Sequence, residues 1–363
     1  MKIVDEKSLE FLMHGFDTVQ CAYFLEPAGK ERIDFDWLTR ERENIKQRKD
    51  KEPKHISLGA WDFLLHPFGS SSGYPIVISN EDFRIEMGEF NFPSFFVTFR
   101  SQGLWKESAF LLHQKFLKWA EYMGYAFKEK ESLSRVDFCF DYHLPEIDFN
   151  EDYFVSRSSK DSQYRDNGRI ETFRIGKGDI ILRVYDKVSE IKQKSEKVWF
   201  YLLWGRDCDV WRIEWQIRKP VLRQFGIRTF ENLKERQGDL LRYLAGEHDT
   251  LRIPNEDKNR SRWVLHPLWI DLQERVRQIE SLGVSRVIGQ PGVLQERMVR
   301  IGISVYGYLK RVAAIRCTQR REELIKFDEA MEALKDQMLI IHDPLNWRID
   351  VQKRIDAIRC GEW

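Results

Sequence analysis

The sequence has no long apolar run: none of its 363 residues lie in a stretch approaching the roughly 18 unbroken apolar positions of a membrane-spanning helix. A helical membrane protein is therefore excluded, and no membrane partner is expected. The opening MKIVDEKSLE carries acids where a signal peptide has its apolar segment, so the expected location is cytoplasmic. Cysteines are few. Cys21, Cys139, Cys208, Cys317 and Cys360 are odd in number and form no CxxC pair, which excludes a disulfide framework and a zinc knuckle. Charge of one sign is not in excess either. With 59 Lys and Arg against 58 Asp and Glu, any attraction to nucleic acid has to come from local clustering. No GxxxxGK[ST] loop is present, so the chain carries no helicase motor of its own. None of the eight histidines has another two positions away, which rules out a metal site built from a histidine pair.

Aromatic residues, by contrast, are plentiful, with 12 Trp, 12 Tyr and 24 Phe. Their first use is to fill a sheet core, and base stacking is the second. Residues 16–25, 74–78, 83–90 and 94–100 have the β-branched and aromatic content of strands. Residues 36–52 read as a solvated polyampholyte helix, and 105–125 as an amphipathic helix that packs on the sheet. After a polar loop at 155–169, Gly176 and Gly178 punctuate a hairpin whose second strand is 180–187, and 210–218 is a further strand. From about residue 230 the pattern turns helical. The fold class is α+β, an antiparallel sheet with packed helices followed by a helical C-terminal region. The polar stretch at 245–260 divides the chain into 1–245 and 246–363.

Residues two apart on a strand share a face, so RVDFCFD sets Arg135, Asp137, Cys139 and Asp141 against Val136, Phe138 and Phe140. In WRIEWQIR, Arg212, Glu214, Gln216 and Arg218 lie opposite Trp211, Ile213, Trp215 and Ile217. In IILRVYDK, Arg183, Tyr185 and Lys187 share a face, and Glu190 lies just beyond. Two readings follow if these strands pair. The polar faces either gather carboxylates that a hard cation such as Mg²⁺ or Mn²⁺ neutralises, or they form a solvated face of salt bridges.

In this order, RVDFCFDY, LRVYDKVSE and WRIEWQIRKP resemble the signatures of the Rep_trans family, the replication initiation factors of rolling-circle plasmids and phages and related relaxases. The resemblance covers about residues 15–230, with FPSFFVTFRSQGL similar to an earlier strand and turn of that family. It implies a curved antiparallel sheet in a DNA-nicking domain over 1–245. Residues 246–363 are left for DNA binding, dimerisation or partner recruitment. The implied reaction is nicking of origin DNA by a tyrosine, giving a 5′-phosphotyrosyl link and a free 3′-OH. On the motif match the nucleophile is Tyr185, with Lys187 as its catalytic neighbour, and nearby cations are expected to favour the phenolate. Asp137, Glu190 and Glu214 are the implied ligands of Mg²⁺ or Mn²⁺, with Asp141 in reserve. Arg183, Arg135 and Arg212 are the implied phosphate contacts, the last two alternatively bracing the acids. Implied partners are origin DNA, double- and single-stranded, a host helicase and a second copy of the chain. Mobilisation of an integrative element, or silent DNA binding on the same scaffold, are the alternatives.

Other features carry less. Tyr122 and Tyr125 on an amphipathic helix read as packing residues, GSSSG as a flexible loop, and IKQKSEK as a solvated charge run. SVYGYLKRVAAIRCTQRR combines apolar positions with a basic end, as either dimer packing or phosphate contact requires. Tyr142 is the next nucleophile to consider after Tyr185.

Overall fold

The structure, a computed structural model, describes residues 9–29, 33–158, 161–166, 169–279, 290–320 and 325–359. By internal contacts the chain forms two compact units, Met1–Gly289 and Gln290–Trp363.

In the first unit the strands are β1 (Glu10–Pro27), β2 (Lys54–Leu58), β3 (Trp61–Leu65), β4 (Ile76–Ser79), β5 (Phe83–Met87), β6 (Phe95–Phe99) and β7 (Tyr125–His143). Then come β8 (Phe154–Ser156), β9 (Asp161–Asp166), β10 (Arg169–Ile175), β11 (Ile180–Asp186), β12 (Val210–Arg218), β13 (Asp249–Ile253) and β14 (Val264–Leu265). Among the described residues, eleven of these make one open antiparallel sheet in the order β2-β3-β4-β5-β6-β1-β7-β12-β11-β10-β9, and β14-β13-β8 make a second. The helices are α1 (Phe35–Gln47), α2 (Ser101–Lys106), α3 (Ala109–Tyr122), α4 (Lys187–Glu190), α5 (Trp199–Trp204), α6 (Lys219–Gln224), α7 (Phe230–Tyr243) and α8 (Pro267–Gln278). The architecture is α+β, as the strand and helix patterns require.

Helix α3 starts where Ser108 accepts a hydrogen bond from the Leu111 N–H, and it buries Ala109, Leu112, Phe116, Trp119 and Ala120 against the sheet. Phe116 packs on Tyr23 of β1, ring centroids 4.4 Å apart, and Trp119 stacks on Trp61 of β3 at 5.6 Å. The same apolar face continues through Trp211, Ile213, Trp215 and Ile217 of β12, where Trp269 of α8 meets Trp215 at 5.8 Å. Trp215 also donates to Asp249 of β13 at 2.8 Å. Residues 249–279 are thereby built into the sheet unit. Contacts part at Gly289, later than the polar stretch at 245–260 where composition changes.

Several segments differ from the sequence reading. The hairpin β2–β3 was not expected, because its strands are short. It turns at Gly59, whose φ of +65° and the Tyr122 ring 2.8 Å from where a Cβ would stand both demand glycine. The polar KEKES stretch belongs to β7 because β1 pairs along it, from Glu10↔His143 to Pro27↔Tyr125. The expected loop at 155–169 contains β9 and most of β8. Strand β11 ends one residue early: Asp186 caps α4, its carboxylate accepting from the Ser189 N–H at 3.0 Å, so Lys187 is helical.

The second unit contains α9 (Gln290–Arg320), α10 (Phe327–Ile341) and α11 (Pro344–Arg359), with Leu309, Ala330 and Ala333 buried within it. Among the described residues no helix is long and apolar enough to cross a membrane.

Candidate active site

Strands β7, β12 and β11 are neighbours, so the three polar faces do converge. Across β7 and β12, Asp137 faces Gln216, Cys139 faces Glu214 and Asp141 faces Arg212. Across β11 and β12, Arg183 faces Glu214 and Tyr185 faces Arg212. Directly paired residues project to the same side of an antiparallel ladder, which gathers these side chains without any loop having to place them.

Tyr185 is buried and its hydroxyl donates to Glu214 Oε2 at 2.7 Å. The other Glu214 oxygen lies 2.5 Å from an Arg183 nitrogen, which is also 3.6 Å from Asp137 Oδ2. Arg135 grips Asp137 with two nitrogens, Nε at 2.7 Å from Oδ1 and Nη2 on Oδ2. Asp137 and Glu214 are therefore brought together around one guanidinium. Glu190 is held elsewhere: its carboxylate takes the Lys187 ammonium at 2.6 Å and the Ser195 hydroxyl at 3.1 Å. Among the described residues no group of three or more His, Cys, Asp or Glu side chains is placed to hold a metal ion. Asp137 and Glu214 supply hard oxygen donors, and in this structure those oxygens are held by Arg135, Arg183 and the Tyr185 hydroxyl. The set of three carboxylates does not assemble.

Arg212 is fully buried and all its nitrogens are taken. Nε and Nη2 lie 2.6 and 2.8 Å from the two Asp141 oxygens, and Nη1 lies 2.7 Å from Asp17. Of the two roles the sequence allowed, bracing acids is the one this geometry shows, since the buried guanidinium presents no surface to a phosphate. Asp141 is likewise consumed, since it also accepts from Trp204 at 2.9 Å.

Asp17 was missed by the sequence reading. Phe16 faces Phe138 on the apolar side and Thr18 faces Asp137 on the polar side, so an extra residue lies between them and Asp17 is turned into the cluster. There it accepts from Ser101 at 3.0 Å, and the Lys197 ammonium stands 3.9 Å away. Burial opposes ionisation of Asp17, but Lys197, Arg212 and Lys187 outweigh it and hold the carboxyl well below its usual range. The only sequence signal was an acid inside an apolar strand. Lys197, from the charge run read as solvated, is also part of this cluster.

The polar face is not wet. Helix α4, the π-turn Ile191–Ser195 and α5 lie over it, and Trp105, Phe200 and Trp204 form an apolar cluster with Met13 and Cys139. The Arg212 guanidinium lies 4.6 Å from the Phe200 ring centroid, and the Lys187 ammonium lies 5.6 Å from the Tyr185 ring. Burial first, then the Glu214 charge, push the Tyr185 phenol well above its ordinary value, with Arg212 pulling the other way. The expected cation-stabilised phenolate is thus reversed: low dielectric and a neighbouring carboxylate keep the proton on. Asp137 is pushed up to about 7, chiefly by burial, against the pull of Arg135. Arg183 and Arg135 remain 33% and 26% exposed, so the cluster meets solvent on their side.

Tyr142 is on the other face of β7, fully buried and donating to Asp271 of α8 at 2.9 Å. Tyr122 ends α3 while Tyr125 opens β7 against Phe95, so the two share no helix face.

No family model and no curated protein matches the chain. A solved structure described as a rolling circle replication initiator protein from Geobacillus stearothermophilus is similar at 19% identity, covering 76% of this chain and 99% of that one with a TM-score of 0.43.

Proposed function

We propose that the protein is a DNA-nicking and strand-transfer enzyme that initiates rolling-circle replication at an origin, with Tyr185 as nucleophile. The hydrogen bond from the Tyr185 hydroxyl to Glu214 Oε2, 2.7 Å, carries this reading. A phenol held protonated by its surroundings needs a base at the moment of attack, and Glu214 stands where that base is required. As Oη attacks the scissile phosphorus, Glu214 takes the phenolic proton. The P–Oη bond forms, the P–O3′ bond breaks, and the 3′ oxygen leaves as a hydroxyl after protonation by water. The phosphodiester energy is kept in the tyrosyl link, so the strand can be rejoined.

Arg183 and Arg135 hold the non-bridging oxygens in this reading, because they flank Glu214 and Asp137 beside Tyr185 and, like Lys197, reach solvent. Lys187, buried over the Tyr185 ring, positions the nucleophile and adds positive potential. Mg²⁺ or Mn²⁺ would be held by Asp137 and Glu214 and would polarise a phosphate oxygen. Arg212 with Asp141 and Asp17 keeps the β7–β12 face rigid.

The test is a supercoiled plasmid library carrying candidate origins, incubated with the protein and Mn²⁺ and run on a denaturing gel. A covalent protein–DNA adduct is expected, and Tyr185→Phe should abolish it while keeping origin binding. Binding without an adduct on any origin would leave a silent DNA-binding protein.

A further inference from the structure

Beyond the Tyr185 cluster, β5, β6 and β1 pack one face on α3 and leave the other half-exposed. Along β6, Phe95, Val97 and Phe99 are buried while Phe96 and Thr98 are partly open, and along β1 Gln20 and Phe24 are partly open on the same face with Ala22 buried between them. The registers line these residues up. Arg84 faces Thr98, Thr98 faces Gln20, and Gln20 faces Arg135, so a polar row crosses four strands and ends beside Asp137. Across the next pair of strands Arg135 faces Arg218, which is exposed. The adjacent row places Glu86 against Phe96 and Phe96 against Ala22. Glu86 is buried and partly answered by Arg84, whose Nε lies 3.4 Å away. At the far end Phe24 meets Phe92 edge-on at 5.1 Å, the Lys128 ammonium lies 5.4 Å from the Phe92 centroid, and Phe90, two residues before Phe92, is 92% exposed.

We propose that this open sheet face, from Arg135 across Gln20, Thr98 and Phe96 to Phe24 and Phe92, is a track for single-stranded DNA leading out of the Tyr185 site. Its occupant rests on the reading of the protein as a DNA-nicking enzyme. Thr18, opposite Asp137, and Phe24 lie six residues apart on β1, about 20 Å of strand. Over that length Arg84, Arg135 and Lys128, paired with Glu86, Asp137 and Glu26 but each partly open to solvent, offer phosphate contacts, and the rings of Phe96, Phe24 and Phe92 offer stacking surfaces. Short ring pairs, Phe24 with Phe92 and Phe96 with Tyr74, set among Arg, Gln and Thr suit unpaired bases: duplex bases are already stacked on one another, and a protein partner would call for a continuous apolar seam.

Fluorescence anisotropy of a labelled oligothymidylate tests this, using Tyr185→Phe protein in EDTA so that cleavage plays no part. Phe92 is 54% exposed, so Phe92→Ala should melt like its parent. It should nevertheless bind the oligonucleotide about tenfold more weakly, with Phe92→Trp restoring affinity. Arg84→Ala and Lys128→Ala should each reduce the slope of log Kd against log salt by about 0.7. Affinity for duplex of the same length should stay within about twofold of the parent. Unchanged oligonucleotide affinity in Phe92→Ala and Arg84→Ala overturns the track, as does equal loss on single strand and duplex. Unchanged binding with altered sedimentation would make the face a protein interface, and the proposal fails. Adduct formation by the wild-type protein is scored separately, so a protein that nicks but binds normally in these variants loses the track alone. One that never nicks but loses single-strand affinity keeps the track and loses the nickase.

Discussion

Arg183 of β11 stands directly across from Glu214 of β12 and serves two buried carboxylates with one guanidinium, 2.5 Å from Glu214 and 3.6 Å from Asp137. Its Nε is buried with no hydrogen-bond partner, so the side chain is not fully satisfied by the acids it neutralises. Replacing it leaves two carboxylates facing each other. Arg183→Ala is expected to lower the melting temperature, and millimolar Mg²⁺ should recover more of that loss than it adds to wild type, because the ion then also supplies the positive charge that the guanidinium gave the two carboxylates. Thermal melts with and without Mg²⁺ decide this, and equal Mg²⁺ effects on both proteins would remove Asp137 and Glu214 from the ion site.

Glu214→Gln keeps the shape and a hydrogen-bond acceptor for Tyr185 but removes the base. Adduct formation should fall about 10²- to 10⁴-fold with origin binding retained. Quantified single-turnover adduct yield is the measurement, and a loss below about fivefold would mean that another group takes the phenolic proton.

The Asp137 carboxyl, pushed up to about 7 by burial, makes the folded protein bind a proton that the unfolded chain has released. Its contribution to stability therefore falls as pH rises from about 4 to about 7 and is level above that, at no more than about 1.4 kcal/mol per pH unit. Asp17 acts oppositely, since its lowered value means stability lost as pH falls below the ordinary carboxylate range. Urea denaturation across pH 4–7 should show a shallower downward slope in Asp137→Asn than in wild type.

Arg212→Met strands Asp141 and Asp17 in the interior. A loss of about 3–5 kcal/mol in urea denaturation is expected, and Arg212→Lys should recover little of it because one ammonium cannot span three carboxylate oxygens. A variant as stable as wild type but weak in DNA binding would restore Arg212 as a phosphate contact.

Chelation should abolish the adduct without moving the melting temperature, since arginines already neutralise Asp137 and Glu214 in the metal-free protein. Adduct yield and thermal melts in EDTA test both halves, and nicking that survives EDTA removes the metal from the reaction.

The sequence by itself determined the strand faces: period-2 alternation in RVDFCFD and WRIEWQIR put Asp137, Asp141, Arg212 and Glu214 opposite the Phe and Trp positions, and the structure keeps that division. It also determined the α+β class, because those alternating runs are followed by helical periods. Tertiary structure alone decided the rest. Whether facing strands are neighbours depends on contacts far apart in the chain. The turn of Asp17 into the site depends on one extra residue between two pairings of β1. The direction of the Tyr185 shift was set by α4 and α5 folding over the polar face, since a cation lowers a phenol's proton affinity only when burial and a nearby carboxylate do not raise it more. Helix caps, bulges and burial arise from the assembled chain, and no spacing of residue types encodes them.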